Sequence, residues 1–327
     1  MMNEKIFSQK LHTRFAAIIM VAVAVIYIFL FGKFADDIAL QTDFGVGLSS
    51  ELRWSMSPYV GMALNVLFNV AIIAMLILIN KTFNVLRAMT WLQVGLFALM
   101  QSAVPYGVMS LNSGSLVCLV VLICLFLMFR NYGMPNEMHG VFLTFLYLSS
   151  GATVQYCFLF FIPLFWLICV QMRIFTLKTA LASTFGLLTV WIILLGFGII
   201  EWNDIRFPEI TSVFGTLELN RTLYLLVVAC LTSFLLLVSI MMNVFKTMAY
   251  NARARAYNGA LTLVSAVCIV AMIVNYNNLM AYIPLLNACA AYQITHYFVN
   301  HHYDRQYLGV LAVVSVYIIL YIWRLNL

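Results

Sequence analysis

Apolar runs and short polar stretches alternate along the whole chain. The runs cover residues 15–31, 58–79, 88–108, 116–129, 141–150, 154–170, 180–200, 223–245, 259–274, 279–299 and 307–323. Most approach the ~20 residues that a helix needs to cross a bilayer at ~1.5 Å rise per residue. The pattern predicts an all-α fold, a polytopic transmembrane helix bundle of about eleven helices. Residues 140–172 are the ambiguous stretch, because a single helix there would be too long for one crossing. Ser149-Ser150-Gly151 offers a break, since Gly and paired Ser favour a turn, and two short helices are expected. The first run is too long for a signal-peptide core, and the following Gly32-Lys33-Phe34 offers no small-x-small cleavage site. A retained first helix is expected.

Composition leaves little room for a soluble part. Of the 327 residues, 65% are hydrophobic and 9% charged, against about 25% charged in an ordinary soluble domain. Mean hydropathy is +1.01. No polar stretch exceeds about 25 residues, half of what the smallest domains need. Residues 1–327 therefore read as one transmembrane domain.

Charge placement tests the helix count and orients it. With the N-terminus cytoplasmic and the runs alternating, 12 of the 17 basic residues fall inside, in segments 1–14, 80–87, 130–140, 171–178 and 246–258 and at Arg305. Eight of the 11 acidic residues fall outside, all in the two long outer loops 32–57 and 201–222. This is the positive-inside distribution, and joining the two helices of 140–172 would reverse it for the later loops. The expected location is a bacterial inner membrane. Because the basic residues are scattered singly, with no stripe or patch, nucleic acid is not an expected partner. The outer loop 201–222 carries Trp202, Ile205, Phe207, Pro208, Ile210 and Phe214, so it is expected to pack over the bundle.

Few residues remain to carry chemistry. The runs hold no Asp, Glu, Lys or Arg near mid-depth, which counts against proton-coupled transport. Asn65, Asn69, Gln93, Gln101, Gln155, Asn243, Asn287 and Gln293 are buried amides, read either as interhelical hydrogen bonds or as a polar cleft helped by Pro105, Pro163 and Pro284. Cys118, Cys124, Cys157, Cys169, Cys230, Cys268 and Cys289 all lie in apolar runs and read as small buried hydrophobes. His296, His301, His302 and Asp304 cluster in sequence, but His12 and His139 are isolated and no metal site is expected. There is no phosphate-binding glycine loop, dinucleotide fingerprint or serine elbow, and no cofactor is expected.

One constellation stands apart. In Lys33-Phe34-Ala35-Asp36-Asp37, two acids follow the outer end of the first helix. This arrangement resembles the membrane-embedded GT-C glycosyltransferases, N-in bundles with an acidic residue in the first outer loop. The resemblance implies transfer of a sugar from a polyprenyl-phosphate donor at the extracytoplasmic face. Asp37 or Asp36 would be the catalytic acid, accepting a proton from the incoming hydroxyl. Adjacent residues diverge, so one of the two is expected to act, and Asp37 is favoured. Lys33, Arg206 and Arg221 would be the cations that meet the donor phosphate. The segment 110–115 lacks the further acid that many of these enzymes carry. A second stretch, with Phe161-Ile162-Pro163-Leu164 and Arg173-Ile174-Phe175-Thr176-Leu177-Lys178, is similar to a family of uncharacterised bacterial polytopic envelope proteins. Two alternatives stay open beside the enzyme: a non-enzymatic subunit assembling with other envelope membrane proteins, and a permease or lipid flippase. The expected partners are the lipid bilayer, a lipid-linked sugar and other envelope membrane proteins.

Overall fold

The computed structural model describes residues 13–34, 57–202, 219–300 and 306–326. These residues are helical almost throughout, with no strand among them. The helices are α1 (Arg14–Phe34), α2 (Pro58–Phe83), α3 (Leu92–Ser102), α4 (Tyr106–Met109), α5 (Ser113–Arg130) and α6 (Met138–Val154), then α7 (Phe161–Gln171), α8 (Leu177–Gly196), α9 (Leu219–Thr247), α10 (Ala252–Val274), α11 (Leu279–Asn300) and α12 (Gln306–Leu325). Single 3₁₀ turns at Tyr156–Phe160 and Tyr276–Asn278 lead into α7 and α11. Among the described residues, seven helices are long and apolar enough to cross a membrane: α1, α2, α5, α8, α9, α10 and α12. A multi-pass membrane bundle requires such helices, because only an element that satisfies its own backbone can face hydrocarbon.

Local chemistry sets the ends. Ser57 and Pro58 start α2, and Asn84 closes it in the left-handed conformation (φ 48°). Asn112 accepts from the Gly114 amide at the start of α5 (3.0 Å). Thr176 and Thr179 bond reciprocally at the start of α8, each accepting from the other's amide at 3.3 and 2.7 Å.

The centre of the bundle is α11. Residues 278–296 are buried without interruption, and α11 packs against α3, α5, α9 and α10. It falls outside the seven apolar helices because Asn287, Gln293, Thr295 and His296 dilute its hydropathy. A helix that touches other helices on all sides needs no lipid-compatible face. By contrast α1, α2 and α8 lie at the periphery and expose apolar residues such as Phe15, Leu67 and Phe185.

The break in 140–172 lies later than Ser149-Ser150-Gly151. Helix α6 runs on to Val154, and the chain turns at Gln155, which is extended (φ −146°, ψ 117°). The two hydroxyls do not compete with the helix. Ser149 donates to the Leu187 carbonyl of α8 (2.8 Å) and Ser150 to the Tyr147 carbonyl (3.0 Å). Gly151 serves packing, since a Cβ there would meet the Phe158 ring at 2.8 Å. The prolines also behave differently from expectation. Pro163 lies in the first turn of α7 and Pro105 precedes α4, where a missing amide costs no helical bond; Pro284 alone of the three lies inside a helix.

Contacts gather the helix ends into two groups. At one end, Arg14 lies over Trp91, Arg87 over Tyr250 and Arg253 over Tyr132, while Gly133 donates to Met172 (3.1 Å). This end carries the basic connections and is called the basic end below. At the opposite end, Arg324 meets Phe31, Asn65 meets Gly107, Asn112 meets Met280 and Tyr156 meets Asn275.

Candidate functional site: an arginine among aromatic rings

Four elements converge on one cluster at the end opposite the basic one. Tyr27 and Phe31 are four residues apart on α1, so one face of the last turns presents both rings, with centroids 6.3 Å apart. Tyr317, Tyr321 and Arg324, four and then three residues apart, likewise share one face of α12. Tyr224 enters from the beginning of α9 and Tyr106 from the first residue of α4.

The rings lock together by stacking and by hydroxyl bonds. Tyr27 stacks on Tyr321 with centroids 4.0 Å apart and planes 9° from parallel. Phe31 meets Tyr106 edge to face at 5.2 Å, and Tyr224 meets Trp323 at 5.5 Å. Helix α3 ends beneath them, leaving carbonyls without intrahelical donors. Tyr224 donates to the Ala103 carbonyl (2.7 Å) and Tyr321 to that of Leu99 (2.5 Å), and Tyr321 also bonds the Ser102 hydroxyl. The Tyr27 hydroxyl is buried beside that of Tyr224 without a hydrogen bond of good geometry.

The Arg324 guanidinium sits over three rings from three elements, 5.2 Å from Tyr224, 5.5 Å from Tyr106 and 5.6 Å from Phe31. Ring faces attract a cation, by roughly 0.5–1 kcal/mol each where water is near. They do so without neutralising it, as a carboxylate would. Arg324 is half-buried and occupies the last turn of α12, where the helix dipole favours positive charge. Among the described residues no carboxylate is paired with it, and a guanidinium held in this way is suited to a phosphate or carboxylate arriving from outside the bundle.

The residues expected from sequence relate to this cluster as follows. Lys33 lies in α1 two residues past Phe31, and Arg221 lies in α9 three residues before Tyr224. Both therefore belong to helix ends that form the cluster, but their side chains are outside the described set. Asp36, Asp37 and Arg206 lie outside the described residues altogether, as does residues 203–218 of the loop expected to pack over the bundle. Trp202, at its start, is exposed. His301, His302 and Asp304 are likewise outside the described residues, while His296 is buried against the Tyr250 ring. In the sequence Arg324 is one of the five basic residues outside the cytoplasmic segments, and its one further signal is the spacing Tyr317, Tyr321, Arg324, which aligns two rings and a cation on one helix face.

The buried amides bond mostly across helices. Asn65 donates to the carbonyls of Gly107 and Val108 (2.7 and 2.9 Å), Asn287 to Gln101 Oε1 (3.0 Å), and Asn243 to both oxygens of Gln293 (2.9 Å each). Asn69 turns back on its own helix, to the Asn65 carbonyl (2.8 Å). Six cysteines are buried; Cys230, on α9, is exposed. At the basic end, burial pushes the Tyr250 hydroxyl above its ordinary range, with the Arg87 guanidinium 3.5 Å over its ring working against that. Comparison with protein-family models, curated proteins and solved structures gives no match.

Proposed function

We propose that the aromatic–arginine cluster binds the phosphate of a lipid-linked donor, and that the protein transfers the donor's sugar to an acceptor at the extracytoplasmic face of a bacterial inner membrane. The observation that carries this reading is Arg324, a cation fixed by Phe31, Tyr106 and Tyr224 with its charge left for an anion. The proposed topology has eleven crossings and a cytoplasmic N-terminus, which puts the cluster on the outer side. Asp36 and Asp37 follow Phe34 by two and three residues in the sequence. In this reading Arg324, with Lys33 and Arg221 nearby in the chain and Arg206 from the second outer loop, offsets the negative charge that grows on the phosphate as the glycosidic bond breaks. Asp37 takes the acceptor's proton, and the rings offer flat faces to the sugar.

Three variants test it together. Arg324→Gln should weaken binding of a polyprenyl phosphate to the purified protein by about ten- to hundredfold, the worth of one charged hydrogen bond. Arg324→Lys, which keeps the charge over the rings, should lose less. Asp37→Asn should leave that binding intact and lower the transfer rate by ~10²–10⁴-fold. Unchanged binding and unchanged complementation of a deletion strain by all three variants, at normal membrane abundance, would turn the cluster into an interface anchor and favour the non-enzymatic assembly subunit.

A further inference from the structure

At the basic end, far from the aromatic cluster, an open groove of about 470 Å³ lies between the first turns of α6 and α8. Its walls are Phe142 of α6 and Leu181 and Phe185 of α8, and its mouth holds His139 and Lys178. The geometry follows from one glycine. At Gly186 the helices touch so closely that a Cβ would meet the Phe142 carbonyl at 2.6 Å. From that contact the two helices run back to their first residues, Met138 and Leu177, and the groove fills the space between them.

We infer that this groove holds one acyl chain of an anionic phospholipid, with the lipid's phosphate at Lys178 and His139. Three features select that occupant. The groove is bounded by exposed apolar residues, Met138, Leu177, Leu181 and Phe185, so the medium around it is apolar. An acyl chain fills an apolar slot open to the side, whereas a water-soluble ligand would leave that side bare. Two features favour an anion at the mouth. Lys178 brings a positive charge there, beside the His139 ring, and α6 and α8 both begin there, so their positive dipole ends point the same way. Glu137, the one carboxylate at this end among the described residues, is outside the groove lining. A zwitterionic headgroup would bring an ammonium with no lining carboxylate to meet it, while an anionic one brings phosphate alone. Basic pockets between transmembrane helices recognise lipid headgroups on this principle.

Native mass spectrometry of the full chain, released from micelles holding equal amounts of phosphatidylglycerol and phosphatidylethanolamine, tests the assignment. The wild type should retain one phosphatidylglycerol in preference. Lys178→Gln should cut that preference about fivefold, the worth of one interfacial lysine. Leu181→Trp, which fills the groove with a larger apolar side chain, should remove the retained lipid of either kind. Lys81→Gln, at an exposed basic position outside the groove, should leave the preference unchanged. Equal retention of both lipids by the wild type, an unchanged preference in Lys178→Gln, or a preference lost in Lys81→Gln instead would each overturn the inference. Since Lys178 is exposed, its variant should fold, and an unchanged melting temperature checks that it does.

Discussion

Two pairs of buried amides, Asn287 with Gln101 and Asn243 with Gln293, each join two helices that apolar packing alone would leave free to slide. Asn287 of α11 and Gln101 of α3 show the energetics. Asn287 Nδ2 donates to Gln101 Oε1 at 3.0 Å, and Asn287 Oδ1 and Gln101 Nε2 have no partner. The pair thus makes one bond and leaves two groups bare. Asn287→Leu should strand the Gln101 carbonyl as well and destabilise the protein by about 1–2 kcal/mol, the upper range for such bonds in membranes. The double variant with Gln101→Leu should recover most of that loss, because it removes every bare group at once. Unfolding by SDS in mixed micelles measures both. Residue types made these amides legible, since Asn and Gln inside apolar runs have few other uses. The spacing Tyr317, Tyr321, Arg324 sets the arginine on a ring-bearing helix face, but its partners are not legible, because its three rings come from positions 31, 106 and 224. Cation–π contact depends on how distant helix ends meet, and no local pattern encodes that. Lys33 and Arg221 stand in the sequence as outer cations by charge and loop position, and the structure places them in α1 and α9.

Helices were easier to read than their breaks. Apolar runs predicted every long helix, because a chain this poor in charge has no other way to bury its backbone polar groups. The exact stop near residue 155 was missed, because Ser149 and Gly151 look like turn residues but act as contact residues. Helix α11 was legible as a run and illegible as the centre, since burial on all sides leaves no amphipathic stripe. The α6–α8 pair gives a test of these contact residues. Gly186 faces backbone, the Phe142 carbonyl and the Leu146 amide, neither of which can yield as a flexible side chain would. Gly186→Leu should therefore force the two helices apart and cost about 1–3 kcal/mol or more. It should also weaken the bond from Ser149 to Leu187 that lies just beyond. A melting temperature unchanged from the wild type would show that the helices do not pack as closely as the backbone contact requires.

The whole molecule poses a question of sides. Contacts sort its connections into two groups. Arg14, residues 84–91, 131–137, 172–176 and 248–251 lie together, and residues 103–112, 155 and 275–278 lie opposite with the last turns of α1 and α12. That sorting repeats the division that basic residues make in the sequence, although side chains meeting rings and charges meeting a membrane potential are unrelated forces. If the basic end faces the cytoplasm, as the positive-inside tendency requires, the aromatic cluster faces out. Single cysteines can test this, because six native thiols are buried and Cys230→Ser would remove the exposed one. In intact cells, a membrane-impermeant maleimide should label Trp202→Cys and Asn326→Cys. Asn136→Cys and Ala249→Cys should react only after the membrane is opened. Labelling of positions 136 and 202 from the same side would break the alternation across α6, α7 and α8, and with it the placement of Asp37 and Arg324 on a common outer face. Labelling of all four with the sides exchanged would keep the alternation and invert the protein, and the donor would then have to be met from the cytoplasm.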